Sequence, residues 1–181
     1  ATALTVAVGL AGCGSSAHPA AGSPATTSGI GALPSFLPKS SLTDQTLHAT
    51  VARPALATQG EAVDVQIGKN EATANVGGPA VPAQGLVPVP ATTLCTWTVT
   101  VTGTSGTTPL ALAAFSVRDQ GGRVSRPALV PGAAAPPPAV RAGQTVTFKL
   151  TDTLVPGEGL MRWSPVANQI EVSWDFVVEI D

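Results

Sequence analysis

Two histidines, two cysteines and a scatter of carboxylates are the side chains from which this chain would have to build a reactive site. His18 stands alone in a Gly-, Ser-, Ala- and Pro-rich stretch, with nothing nearby to complete a metal site. A Ser-His-Asp or Cys-His arrangement would have to use His48 as its base. His48 lies among threonines in Thr46-Leu47-His48-Ala49-Thr50, on what reads as the solvent face of a strand. Cys95 shares a strand face with Trp97 in Thr93-Leu94-Cys95-Thr96-Trp97. That setting fits a small buried hydrophobe better than a reactive thiol. Metal binding needs clustered His, Cys or carboxylates, whereas Asp175 and Glu179 merely share the polar face of the last strand. A paired-carboxylate hydrolase needs two acids facing one cleft, which these scattered acidic residues do not favour. Arg118, Arg123 and Arg126 gather around Asp119-Gln120-Gly121-Gly122. They would suit anionic headgroups or phosphorylated envelope polymers, but a solvated hairpin tip with protective edge charge is the reading adopted. A strand follows Gly121-Gly122, so no helix N-terminus is there to hold phosphate. The expectation is a protein without catalytic residues, metal or cofactor, and not an enzyme.

Composition narrows the partners. The 181 residues carry a formal charge of −2, too small to point to nucleic acid or an acidic membrane surface. Charged residues are 11%, against ~25% in an ordinary soluble domain. Aromatics are 4% and tyrosine is absent, which argues against stacking platforms for bases or sugars. Hydrophobic residues at 44% still allow a core. Length fits one folded domain after the N-terminal region.

From about Thr43 the chain shows short runs with a period of two. Leu47, Ala49 and Val51 alternate with polar neighbours, as do Val63, Val65 and Ile67. Cys95, Trp97, Val99 and Val101 alternate with threonines. Phe115 and Val117 lead into the Asp119–Gly122 turn, and Val146, Phe148 and Leu150 form another face. At the C-terminus Ile170, Val172, Trp174, Phe176, Val178 and Ile180 share one side. This pattern means half-buried strands in an antiparallel arrangement. No helical stripe is evident. A stiff Pro-rich crossing, Pro127 to Val140, suits a connection between two sheets. The fold expected for residues 43–181 is an all-β, immunoglobulin-like antiparallel β-sandwich, with a closed barrel as the alternative. With Cys95 the only cysteine in that span, the hallmark immunoglobulin disulfide has no partner.

The N-terminal region carries a different signal. Ala1 to Leu10 is an apolar run, far shorter than the ~18 residues of a membrane span, and fits the h-region of a signal peptide. The basic n-region is missing and the only methionine is Met161, so the sequence is expected to begin inside that signal. Leu10-Ala11-Gly12-Cys13 resembles a bacterial lipobox. The resemblance implies that residues 1–12 are part of a signal peptide and that the Cys13 thiol carries a diacylglycerol. The protein would then sit on the outer face of the cytoplasmic membrane. The competing reading is a simple secretory signal with an incidental cysteine. Residues 13–42 then form the anchor site and a flexible tether. The uncharged stretch 14–31 would hold a domain about 25 Å from its anchor. Its Ser and Thr residues resemble the O-mannosylated stalks of actinobacterial lipoproteins, or form an unmodified linker.

TWTVTVTG, PLALAAFSVRDQGG, RAGQTVTFKL and a Trp-bearing end, within residues 93–176, resemble the small secreted immunoglobulin-like antigens of mycobacteria. That resemblance implies a β-sandwich outside the cell with no established enzymatic activity; the lipobox and the longer C-terminal strand depart from it. The function expected is a non-catalytic binding or interaction module, with an envelope protein or lipid as partner. The alternatives are a carrier or sensor of an apolar envelope molecule and, more weakly, an envelope hydrolase. One stretch reaches toward recognition. Gly77–Thr92 carries Val81, Leu86, Val87 and Val89 between closely spaced prolines, which point to a loop or edge segment rather than a central strand. It is either an exposed apolar contact loop or, the favoured reading, a cap on one end of the core.

Overall fold

The computed structural model of the chain describes residues 46–50, 52–82, 87–88, 90–166 and 172–180. Cys13, the lipobox and the tether lie outside the described residues, as do Val51, Leu86, Val89 and Ile170.

Among the described residues, thirteen strands follow one another. They are β1 (Leu47–Ala49), β2 (Ala55–Thr58), β3 (Ala62–Ile67), β4 (Asn70–Ala80), β5 (Thr93–Ser105), β6 (Thr107–Pro109), β7 (Phe115–Asp119), β8 (Val124–Ser125), β9 (Ala128–Leu129), β10 (Ala139–Arg141), β11 (Thr145–Leu154), β12 (Gly157–Trp163) and β13 (Val172–Val178). A single 3-10 turn, Leu112–Ala114, precedes β7. One sheet has the order β1-β3-β4-β5-β11-β9 and a second β2-β13-β12-β7-β8, while β6 and β10 pair on their own. The apolar faces of the two larger sheets enclose one core, which makes the domain a β-sandwich.

The two-residue alternation sets the inner faces. Val63, Val65, Cys95, Trp97, Val99 and Val101 are buried from the six-stranded sheet. Phe115, Val117, Val172, Trp174, Phe176 and Val178 are buried from the five-stranded one. Ring packing ties the layers where Trp97 meets Phe176 edge-on at 5.2 Å and Phe115 meets Phe148 edge-on at 5.7 Å; within the five-stranded sheet Phe115 stacks on its neighbour Trp163 at 5.8 Å. The Trp174 indole also donates to the Glu61 carbonyl at 2.9 Å, so a strand of one sheet grips the start of a strand in the other.

The sheets are not wholly antiparallel, which corrects the expectation. β1 runs parallel to β3, and β2 parallel to β13. The cause lies in residues 47–58. Consecutive strands β1 and β2 belong to opposite sheets, and the chain swings between them at a bridge where Thr50 and Arg53 exchange two hydrogen bonds of 3.0 Å. Each short strand thereby covers a free edge, first of one sheet and then of the other.

The stretch that begins at Gly77 starts within a strand. Its residues up to Ala80 finish β4, a strand inside the six-stranded sheet. Pro79 is tolerated because β3 begins only at Ala62, opposite Asn75, and the register with β5 slips between Gly77 and Ala80. Past Asn75 the strand has a single neighbour, and proline interrupts no ladder. The chain passes from β8 in one sheet to β9 in the other through Arg126 and Pro127 alone, and the rest of the expected Pro127–Val140 crossing links β9 to β10. It is pinned by β9 and β10 rather than bare.

Candidate functional site

The sandwich separates the residues that could have cooperated. His48 on β1 points outward, its Nδ1 3.7 Å from Asp64 Oδ2, with the two side chains 72% and 40% exposed. That spacing allows an ion pair when the imidazole is protonated but not a hydrogen bond. Asp64 accepts instead from the Thr73 hydroxyl at 2.6 Å. The other polar pair sits across the sheet. Asp152 on β11 stands opposite Cys95 on β5 and accepts the Ser125 hydroxyl from the edge of the facing sheet. β1 and β11 are four strand spacings apart in the sheet order, roughly 19 Å, and the two groups face opposite sides. Ser125, Asp152 and His48 therefore form no triad.

Cys95 is wholly buried, as its shared face with Trp97 required. Its thiol points to the Thr93 carbonyl at 3.8 Å. Burial, and then the neighbouring Asp152 carboxylate, push its pKa from 9.0 to about 11. Two consequences follow. A thiol reagent should label Cys95 only after denaturation; rapid labelling of the folded domain would contradict the burial. The unfolded thiol ionises near pH 9 while the folded one keeps its proton to about 11. The folded state thus binds more protons in that window, and stability should fall as pH rises from 9 to 11. The loss attributable to this group is about 2–3 kcal/mol. Urea midpoints compared between the parent and Cys95→Ala across that range isolate it.

Grooves open on the surface of the described residues. One of about 550 Å3 lies between the 3-10 turn and β8, bordered by Ala113, Ser116, Val124, Ser125, Arg126 and Ser164. Arg126 bonds the Ala113 carbonyl there, so it leaves the group formed with Arg118 and Arg123 around the turn. That turn is a hairpin as expected: the Asp119 N–H donates to the Arg123 carbonyl at 3.0 Å, and Arg123 N–H to Asp119 Oδ1 at 2.9 Å. A second groove, about 370 Å3, gathers Arg118, Asp119, Glu158 and Asp175 beside Leu160 and Val177. These acids are far apart in sequence, and only the pairing of β7, β12 and β13 brings them together. The third, about 160 Å3, holds His48, Asp64, Glu71 and Thr104. Among the described residues no group of three or more His, Cys, Asp or Glu could hold a metal ion.

The apolar loop divides. Val81 is half-buried and packs against the core, whereas Val87 is 95% exposed. Val87→Ser should leave thermal stability within about 0.5 kcal/mol of the parent. A sharp fall in the melting temperature would mean that Val87 caps the core after all.

The outer face of the six-stranded sheet has a different character. Thr96, Thr98, Thr100, Thr102 and Thr104 project from β5, on the side opposite Cys95 and Trp97. On β11, Thr151 stands opposite Thr96, Thr147 opposite Thr100 and Thr145 opposite Thr102. The hydroxyls of Thr100 and Thr147 lie 3.2 Å apart, and those of Thr102 and Thr145 3.0 Å.

The class this architecture defines is a compact β-sandwich with filled inner faces and its polar chemistry on the outer ones. Among solved structures, the chain is similar to the crystal structure of MPT63, a secreted protein of Mycobacterium tuberculosis, with a TM-score of 0.51 and 17% identity. The match covers 69% of this chain and 99% of that one, so the two share a fold. It is also matched to YcdA of Bacillus subtilis with a TM-score of 0.42 and 9% identity, over 62% of this chain and 39% of that one. No protein-family model matches the sequence, and no curated protein matches it.

Proposed function

We propose that this chain is a cell-envelope lipoprotein, anchored through Cys13 and presenting its β-sandwich outside the cytoplasmic membrane as a non-catalytic binding module. The observation that carries the reading is Leu10-Ala11-Gly12-Cys13, which closes an apolar run and opens an uncharged tether ahead of the folded domain. The fold-sharing MPT63 is a secreted protein, which agrees with a place outside the cell. The non-catalytic part rests on the wide separation of His48 from Ser125 and Asp152 and on the burial of the Cys95 thiol. A binding module is favoured over a carrier because Trp97, Trp163 and Trp174 fill the space between the sheets. A partner protein or lipid of the envelope would then meet an outer surface.

The test is Cys13→Ser in the native host. Stable anchoring takes more than one acyl chain, and the variant cannot receive the diacylglycerol. It should leave the membrane fraction and accumulate in soluble form. A variant that fractionates with the membrane like the parent would end the lipoprotein reading.

A further inference from the structure

We infer that the outer face of the five-stranded sheet is the contact surface of a homodimer, occupied by a second copy of this chain. Alternation turns Glu158, Leu160 and Arg162 of β12 outward, with Asp175 and Val177 of β13 and Arg118 of β7. Two edge residues join them: Leu56 of β2 is 64% exposed and Val124 of β8 60%. Register fixes where the charges stand. Leu160 has Arg118 on one side and Asp175 on the other, each one strand spacing or about 4.8 Å away. Along β12, Glu158 and Arg162 lie two residues to either side of Leu160, about 6.8 Å away. The two cations thus hold one half of the face and the two anions the other, with an aliphatic side chain between them. Among the described residues, Arg118, Glu158 and Asp175 make no ion pair within the chain. Of the other acids nearby, Asp119 accepts the Arg123 N–H, and Glu179, two residues past Val177, stands exposed at the rim.

That arrangement selects its occupant. A partner must offer an anion to Arg118 and a cation to Asp175, with an apolar group between. Nucleic acid and anionic lipid surfaces offer one sign only. A second copy offers both, in matching order. An in-plane two-fold axis over Leu160, running midway between Arg118 and Glu158, exchanges those two positions. It sets Arg118 against Glu158 of the second copy and Asp175 against its Arg162, and each pair occurs twice. Leu160 meets its own counterpart on the axis, and Leu56, opposite Ser173 at the sheet edge, falls close to the same line. The two sheets then cross near a right angle, one of the usual sheet packings. A formal charge of −2 per chain adds little repulsion between copies. Five strands and the length of β12 span about 19 by 20 Å, at the low end of specific interfaces. The dimer should therefore be weak, dissociating in the micromolar range.

Sedimentation velocity of the full chain, produced without acylation, should be run from about 1 to 500 µM. A species of twice the 18.0 kDa chain mass should grow with concentration and recede in about 0.5 M NaCl, which screens the charge pairs. Arg118→Glu alone sets like charges together and should weaken the dimer about tenfold or more, as should Glu158→Arg alone. The two combined restore opposite charges in reversed order and should return to within about threefold of the parent. The substituted side chains are exposed, so the fold should survive; if either single variant unfolds, Asp175→Arg reads the other pair. A parent that stays monomeric over the whole range overturns the proposal and leaves this face to a different protein. A dimer indifferent to the single reversals, or one the combined variant fails to restore, overturns it as well. Fractionation of Cys13→Ser reads location separately, so a monomeric result leaves the anchoring reading standing.

Discussion

Replacing Trp97 or Trp174 by alanine should each cost about 3–5 kcal/mol, the range for emptying a buried aromatic site. Both side chains are buried, Trp97 against Phe176 and Trp174 on the same strand as that phenylalanine. Phenylalanine substitutions should separate them. The Trp97 indole nitrogen is buried without a hydrogen-bond partner. Trp97→Phe therefore removes a donor that gains nothing in the folded state, and most of its cost is lost ring area. The Trp174 nitrogen donates to the Glu61 carbonyl at 2.9 Å. Trp174→Phe leaves that carbonyl without its partner and adds about 1–3 kcal/mol. Urea denaturation of the four variants decides the matter. If Trp174→Phe proves no costlier than Trp97→Phe, the cross-sheet bond to Glu61 contributes nothing.

Gly103→Ala should destabilise by about 3 kcal/mol or more, beyond the usual range for overpacking. A β-carbon on Gly103 would land on the Arg141 carbonyl, with the Ala142 nitrogen 3.1 Å away. Both obstacles are backbone and cannot rotate aside. They are also held in place: Gly103 N–H donates to the Gln144 carbonyl at 2.9 Å, and Gly143 N–H to the Gly103 carbonyl at 2.8 Å. Gly77→Ala on the neighbouring strand is the control, since its β-carbon meets open space, and it should stay within about 0.5 kcal/mol of the parent. Equal midpoints for the two variants would mean that β5 and the β10–β11 turn do not approach as closely as described.

The strands legible in the sequence were those whose inner faces carry large side chains. The run from Cys95 to Val101 and the last strand advertise their burial through Trp97, Trp174 and Phe176. β4 and β12 were silent for a physical reason. β4 turns Ala72, Ala74 and Val76 inward, so its apolar side is small. β12 buries Met161 and Trp163, but Gly159 leaves a gap in that inner row and Leu160 sits on the other side, so the alternation is broken despite the large side chains. In the fold Phe176 of the paired strand lies across that glycine and occupies the space its side chain would have used. The parallel edges were equally hidden, because three- and four-residue strands carry too few positions to encode a direction. Of the candidate chemistry, the solvent-facing position of His48 and the burial of Cys95 followed from alternation. The groove of Arg118, Asp119, Glu158 and Asp175 did not, since it exists only through the register of three strands.

The way β1 and β2 divide between the sheets gives the domain a mechanical character. A pull applied through residue 46 first loads β1, whose three residues lie parallel to β3, so the force runs along the strand and its bonds share the load. Once β1 yields, the tension passes through the Thr50–Arg53 bridge to β2, which lies parallel to β13 in the opposite layer. The chain therefore enters the domain through two clasps in series, one on each sheet, and traction at this end strips two short edge strands before it reaches the long central ones.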